Sequence, residues 1–221
     1  MTAQPLASWR QSLLALTNSA ESAEEFLDQR LLFTTAVAWA LTKGEIGSAL
    51  LYGVWLQGHD APIYIGQTLE GKRRLWDLPI GESHHLSNSF PPEIWSRVVV
   101  VDWMSLLSND FKSSPEEMLA TQRDQFPHAA MAVGLALEHL LQKRFRPLFN
   151  QRKKKRDGRW RMVDWNSSKS IAARASVHVV KLFERVLLHW EQLASVPAED
   201  TGCTVVDHGR VVFPAMAKPR E

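Results

Sequence analysis

Four features of the chain carry chemically useful side chains in a fixed order. Tyr64-Ile65-Gly66 ends a β-prone run, Arg74 follows ten residues after Tyr64, Glu138 falls inside a long apolar-striped segment, and Asn150 comes twelve residues after Glu138. Cleaving a phosphodiester needs a group that activates water, a cation that meets the charge growing on the phosphorus centre, and a metal that stabilises the leaving oxygen. A lone carboxylate on a rigid helix can hold one Mg²⁺ that keeps most of its waters. An arginine grips phosphate through two N–H groups at once. A tyrosine hydroxyl can hold the attacking water, or deprotonate it if nearby positive charge lowers its pKa. Tyr64, Arg74 and Glu138 supply one group for each task. Each alone also fits a plain role: a rim tyrosine, a solvated charge, the polar seam of a helix, a turn residue.

The elements that must position these groups can be read from periodicity. Residues 5–43 have helical spacing, with Leu13, Leu14, Leu16, Phe26, Leu27, Leu31 and Leu32 recurring, and Ser22 with Glu25 makes a capping box. Residues 49–56 and 63–66 are short apolar runs around a turn-rich segment, which predicts a hairpin. Residues 69–77 begin a helix and 81–92 are irregular. Val98 to Val101 is the clearest strand, because consecutive valines favour a pleated surface. Residues 127–146 form an amphipathic helix carrying Met131, Leu135, Leu137, Leu141 and Phe145, ended by Pro147. Residues 170–194 form a second long helix, and a small hairpin around Asp207-His208-Gly209 closes the tail. The expected fold is α+β, a small three-stranded sheet flanked by helices with added N- and C-terminal helices. The expected division is a helical extension at 1–47, a core at 48–152, and a basic loop, long helix and tail at 153–221 packing on that core.

The order of these features resembles the GIY-YIG nuclease superfamily, which includes homing endonucleases, the incision nuclease of bacterial excision repair and several restriction endonucleases. Gly53-Val54-Trp55 stands where its first signature would be, and Tyr64-Ile65-Gly66 matches the second. Arg74 falls at the catalytic arginine, Glu138 matches the metal-binding glutamate, and Pro147-Leu148-Phe149-Asn150 matches the end of that helix. The resemblance covers roughly residues 48–152. It departs at Trp55, where the family has tyrosine, and at Leu78, where histidine or tyrosine is frequent. Trp cannot lose a phenolic proton. Strand alternation puts Tyr52 and Trp55 on opposite faces, so Tyr52 is expected to take that role only through a bulge or register change. The resemblance implies a Mg²⁺- or Mn²⁺-dependent endonuclease acting on DNA in restriction or defence. The alternatives are a catalytically impaired nucleic-acid-binding module or a repair or recombination nuclease. Glu138 is the implied metal ligand. The water-activating group is Tyr64, His84, His85 or a displaced Tyr52.

Charge distribution points the same way. The net charge is only +2, yet residues 151–161 (QRKKKRDGRWR) hold seven Lys or Arg against one Asp. Asn150 and the Arg152, Lys153, Lys154, Lys155, Arg156, Arg159 and Arg161 that follow it are thus expected to bind nucleic acid, the cations as a footprint for its phosphate backbone. Trp160 and Trp165 could stack on bases, although packing is the expectation for Trp165. A two-fold homodimer would cut both strands of a palindrome. The hydrophobic content of 45 % suits a globular chain. The sole cysteine, Cys203, excludes an intrachain disulfide and a cysteine-based zinc site. The expected setting is the cytoplasm, with no membrane span and no signal peptide.

Overall fold

Val98 to Val101 lie at the centre of the sheet, and all four are buried because both faces of their strand are packed. The structure, a computed structural model, describes residues 23–81, 85–107, 114–122, 124–154, 157–198 and 202–218. Its elements in order are α1 (Ala23–Thr42), β1 (Leu50–Leu56), β2 (Tyr64–Thr68), α2 (Gly71–Ile80), α3 (His85–Ser89), β3 (Trp95–Asp102), α4 (Pro115–Met118), α5 (Ala129–Phe145), α6 (Leu148–Gln151), β4 (Arg152–Lys154), β5 (Trp160–Met162), α7 (Ile171–Ala175), α8 (Val180–Ser195), β6 (Cys203–Val206) and β7 (Gly209–Val212). The fold is α+β, as expected. The sheet is larger than three strands: five antiparallel strands run in the order β2-β1-β3-β7-β6. The tail hairpin supplies the extra two, because Gly209–Val212 pairs along Val98–Val101 and so satisfies the free edge of β3.

Period-two alternation sorts the strand residues into two cores. Leu50, Tyr52, Val54, Val98, Val100 and Val212 face α1, α2 and α3. Leu51, Trp55, Ile65, Val99, Val101 and Val211 face α5, α7 and α8. Helix α5 approaches closely because its inner face is made of small residues, Ala132, Val133 and Ala136, with Leu137 and Leu141 filling the remainder. Met131, expected on its apolar side, is exposed.

Two expected helices differ in detail. Leu27, Leu31 and Leu32 are exposed on α1, whose buried face is instead Val37, Ala38 and Leu41. Ser22 of the expected capping box lies outside the described residues. The helix expected over 170–194 is broken into α7, a turn of 3₁₀ helix at Ser176–His178, and α8. The Ser176 hydroxyl donates to the Ala173 carbonyl at 2.7 Å, competing with the helix ladder where the β-branched Val177, Val179 and Val180 already disfavour it. Arg210 of β7 is nearly fully buried and donates to the Leu41 and Glu45 carbonyls at 3.2 and 2.8 Å, and to Lys43. It thereby places a cation on the negative end of α1. No helix among the described residues is long and apolar enough to cross a membrane.

Candidate active site at the covered edge of the sheet

β2 is the outermost strand on its side of the sheet, so its outward backbone groups need partners. Asn150 provides them. Its Oδ1 accepts from the Ile65 N–H at 2.8 Å, and its Nδ2 donates to the Ile65 carbonyl at 2.9 Å. The Phe149 N–H donates to the Ile63 carbonyl at 2.8 Å. Asn150 therefore acts as a one-residue strand that holds α6 to the Tyr64-Ile65-Gly66 segment. Both ends of the amide that was expected to face nucleic acid are used in this way.

Tyr52 and Tyr64 stand side by side on one face. Tyr52 pairs across with Gly66 and Val54 with Tyr64, so no bulge or register change is needed to bring the two phenols together. Tyr52 and Trp55 lie on opposite faces, as alternation predicts. Trp55 points to the opposite core, where it packs on Trp190 and donates its indole N–H to the Asp60 carbonyl at 3.3 Å. The tyrosine rings are 6.1 Å apart, and their hydroxyls are hydrogen-bonded to each other. Gly66 makes this possible. A Cβ there would lie 2.7 Å from the Tyr52 hydroxyl and 2.9 Å from the Tyr64 ring. Phe149 closes edge-on against Tyr64 at 6.0 Å.

The basic run at the start of α2 divides by facing. Arg73 pairs outward with Glu70 and with Asp77 at 3.4 Å. Arg74, one residue on, turns inward; its Nε is buried and has no hydrogen-bond partner among the described residues. Gly71 lets this helix start against the carbonyl of Gly47, and Gly81 ends it in the left-handed conformation at φ 89°. Leu78, the departure noted on α2, is simply a core residue.

Glu138 reaches the same place from α5, around the strand edge. Gln142, one turn on, donates from Nε2 to Glu138 Oε1 at 2.6 Å and to the Ile65 carbonyl at 3.1 Å. Its Oε1 accepts from the Trp165 indole at 3.3 Å. Trp165 therefore packs on α5 and anchors the side chain that orients Glu138. Sequence reading missed Gln142, although its i, i+4 spacing from Glu138 was a usable signal.

Electrostatics shows that the four groups share one site, since Tyr52 and Tyr64 each feel both Arg74 and Glu138. Burial pushes Tyr64 up to about 12; the Glu138 carboxylate adds to this, while the Tyr52 hydrogen bond and Arg74 oppose it. Tyr52 is raised as well, first by burial and then by Tyr64. Of the two roles open to Tyr64, deprotonating the water required a pKa lowered by positive charge; here desolvation outweighs the one arginine and the shift is upward. Groups with raised values stabilise the fold fully below their ordinary value near 10 and lose that contribution as pH rises through the folded value. Because the chain has only two tyrosines, both here, the tyrosinate absorption band reports this site alone. In an alkaline titration the band is expected to stay silent well past pH 10 and to rise together with loss of the circular-dichroism signal; a normal two-tyrosine titration in the folded protein would contradict this packing.

The other expected residues are more dispersed. His84 and the side chain of His85 lie outside the described residues, as do Lys155, Arg156 and the side chains of Lys153 and Lys154. The basic segment forms a β4–β5 hairpin, with Arg152 opposite Met162 and Lys153 opposite Arg161. Arg152, Arg159 and Arg161 are exposed, and Arg159 lies 4.0 Å from Asp157. Among the described residues no three His, Cys, Asp or Glu side chains gather to hold a metal. No family model, no curated protein and no solved structure matches the chain.

Proposed function

We propose that this chain is a Mg²⁺- or Mn²⁺-dependent endonuclease that hydrolyses DNA phosphodiester bonds, in restriction or another defence against foreign DNA, with a site of the GIY-YIG kind. The observation that carries this reading is Arg74, its buried Nε without a partner among the described residues, beside two hydrogen-bonded phenols and an oriented carboxylate. A buried donor without a partner costs about 1–3 kcal/mol, so Arg74 is kept at this position at a cost to stability, and its terminal N–H groups are the ones that would meet a phosphoryl oxygen. Tyr52 sitting beside Tyr64 also supports this reading, since a second phenol is available three residues before Trp55 in the chain.

In this mechanism Arg74 grips the scissile phosphate and meets the charge that grows on it. Tyr64, neutral at ordinary pH, donates its O–H to the attacking water and fixes its line of approach, while Tyr52 holds the Tyr64 oxygen in place. Since Tyr64 keeps its proton, the proton of the water goes to another base, His84 or His85, whose segment follows the end of α2. Gln142 and Trp165 hold Glu138 in the orientation of a metal ligand. A divalent cation at Glu138 would stabilise the leaving oxygen.

The test is incubation of the purified chain with supercoiled plasmid and with single-stranded DNA, in Mg²⁺, in Mn²⁺ and in EDTA. Cleavage with metal and none in EDTA is the expected result; discrete bands would indicate a sequence-reading enzyme and a smear an indiscriminate one. Salt-sensitive binding without cleavage under either metal would overturn the catalytic reading in favour of a binding module.

A further inference from the structure

A second basic feature sits next to the candidate site and is separate from the β4–β5 hairpin cations. A pocket of about 280 Å³ lies between the end of α5 and the strand leaving β5, lined by Lys143, Arg146, Gln151, Trp165 and Asn166 among others. Trp165 is shared with the site, since its indole holds Gln142 and through it Glu138. Trp165 thus links the pocket's lining to the carboxylate through Gln142.

Arg146 is the informative residue. It ends α5 with φ 50° and ψ 54°, and its N–H donates to the Gln142 carbonyl. This left-handed position is where glycine is most at ease, and a side chain there carries a strain of order 1–2 kcal/mol. Helix capping alone would be served better by glycine. The arginine side chain is exposed at the pocket instead of buried for packing. The helix end contributes roughly half a negative charge, less than the two full cations of Lys143 and Arg146. Two of its terminal carbonyls are also occupied: that of Gln142 by the Arg146 N–H, and that of Arg146 by Gln151. Among the described residues the one acid lining the pocket, Asp164, turns its oxygens to the Asn166 and Ser167 N–H groups and the Ser167 hydroxyl.

Resting on the nuclease reading above, we propose that this pocket binds a backbone phosphate of the DNA strand flanking the cleaved bond, with Arg146 and Lys143 as its cations and Asn166 as a neutral donor. Such a contact gives affinity and register without base choice.

The experiment measures fluorescence anisotropy of a labelled DNA duplex in EDTA across a salt series, for the full chain, Arg146→Gly and Lys143→Gln, with thermal melts of each. Arg146→Gly is expected to melt at the same or a higher temperature, to bind roughly three- to tenfold more weakly, and to lower the slope of log affinity against log salt by about 0.9, one phosphate's worth. Lys143→Gln is expected to weaken binding in the same direction. Unchanged affinity and slope in both variants would overturn the pocket, and cleavage by the parent chain would then leave the nuclease reading standing. A slope reduced in the variants, with a parent chain that binds but never cleaves, would support the pocket as a backbone-phosphate site and remove the nuclease reading. A parent chain that does not bind the duplex at all would remove both.

Discussion

Glu138→Gln is expected to lower metal-dependent plasmid cleavage by about a thousandfold or more, with DNA affinity in EDTA within about twofold of the parent chain. The substitution keeps the size of the side chain and leaves an oxygen to accept from Gln142, so the Gln142–Trp165 chain has no reason to collapse. What is lost is the negative charge that would hold the cation. The same change removes one of the influences that raise Tyr64 and Tyr52. The alkaline rise of the tyrosinate band is therefore expected to begin at lower pH than in the parent. That spectroscopic shift separates a charge effect at the site from a general loss of structure. Cleavage retained within tenfold would remove Glu138 from the reaction.

Arg74→Met is expected to reduce cleavage by about two to four powers of ten and, unlike most substitutions of part-buried residues, to leave stability unchanged or raised. The reason is the Nε with no partner. Methionine fills comparable space and carries no donor, so relief of an unsatisfied group worth about 1–3 kcal/mol offsets the contacts that are lost. A gain of 1 kcal/mol corresponds to a rise of about 2–4 °C in melting temperature for a chain of this size. Arg74→Lys is not expected to restore cleavage, since an ammonium cannot make the two-pronged phosphate contact. A melting temperature lowered by many degrees would show that Arg74 is a structural cation, and full activity would remove its role.

Much of the architecture was legible because it depends on local pattern. The four valines, the β1–β2 hairpin and the apolar stripe of α5 follow from periodicities of two and 3.6. The sheet's full width was not. The Val205-Val206 and Val211-Val212 runs announce a hairpin, but its docking on β3 is a pairing between residues far apart in the chain, which no local signal encodes. The site shows the same division. Alternation correctly separates Tyr52 from Trp55, yet which of them meets Tyr64 depends on register across the intervening turn. Residues 57–62 are too long a connection to fix that register in advance. The pairing of Val54 with Tyr64 decides it for Tyr52. The high value of Tyr64 follows from the helices and from Phe149 closing over the strand, a burial that the types of neighbouring residues do not disclose. Asn150 was noticed for its place after Pro147, but its role as a strand mimic required the geometry.

The tripeptide's glycine has a further consequence. Gly66 reads in sequence as a flexible end to a strand, yet the space above its Cα is occupied by the Tyr52 hydroxyl. Positions 52 and 66 are therefore not independent letters. A phenol at 52 forbids a side chain at 66, and a side chain at 66 would evict the phenol. Each substitution alone is a loss, and the second is tolerated only after the first has been made. In the vocabulary of sequence evolution the two sites form one character with a valley between its states, and a motif search that scores Tyr-Ile-Gly without Tyr52 weighs half of it.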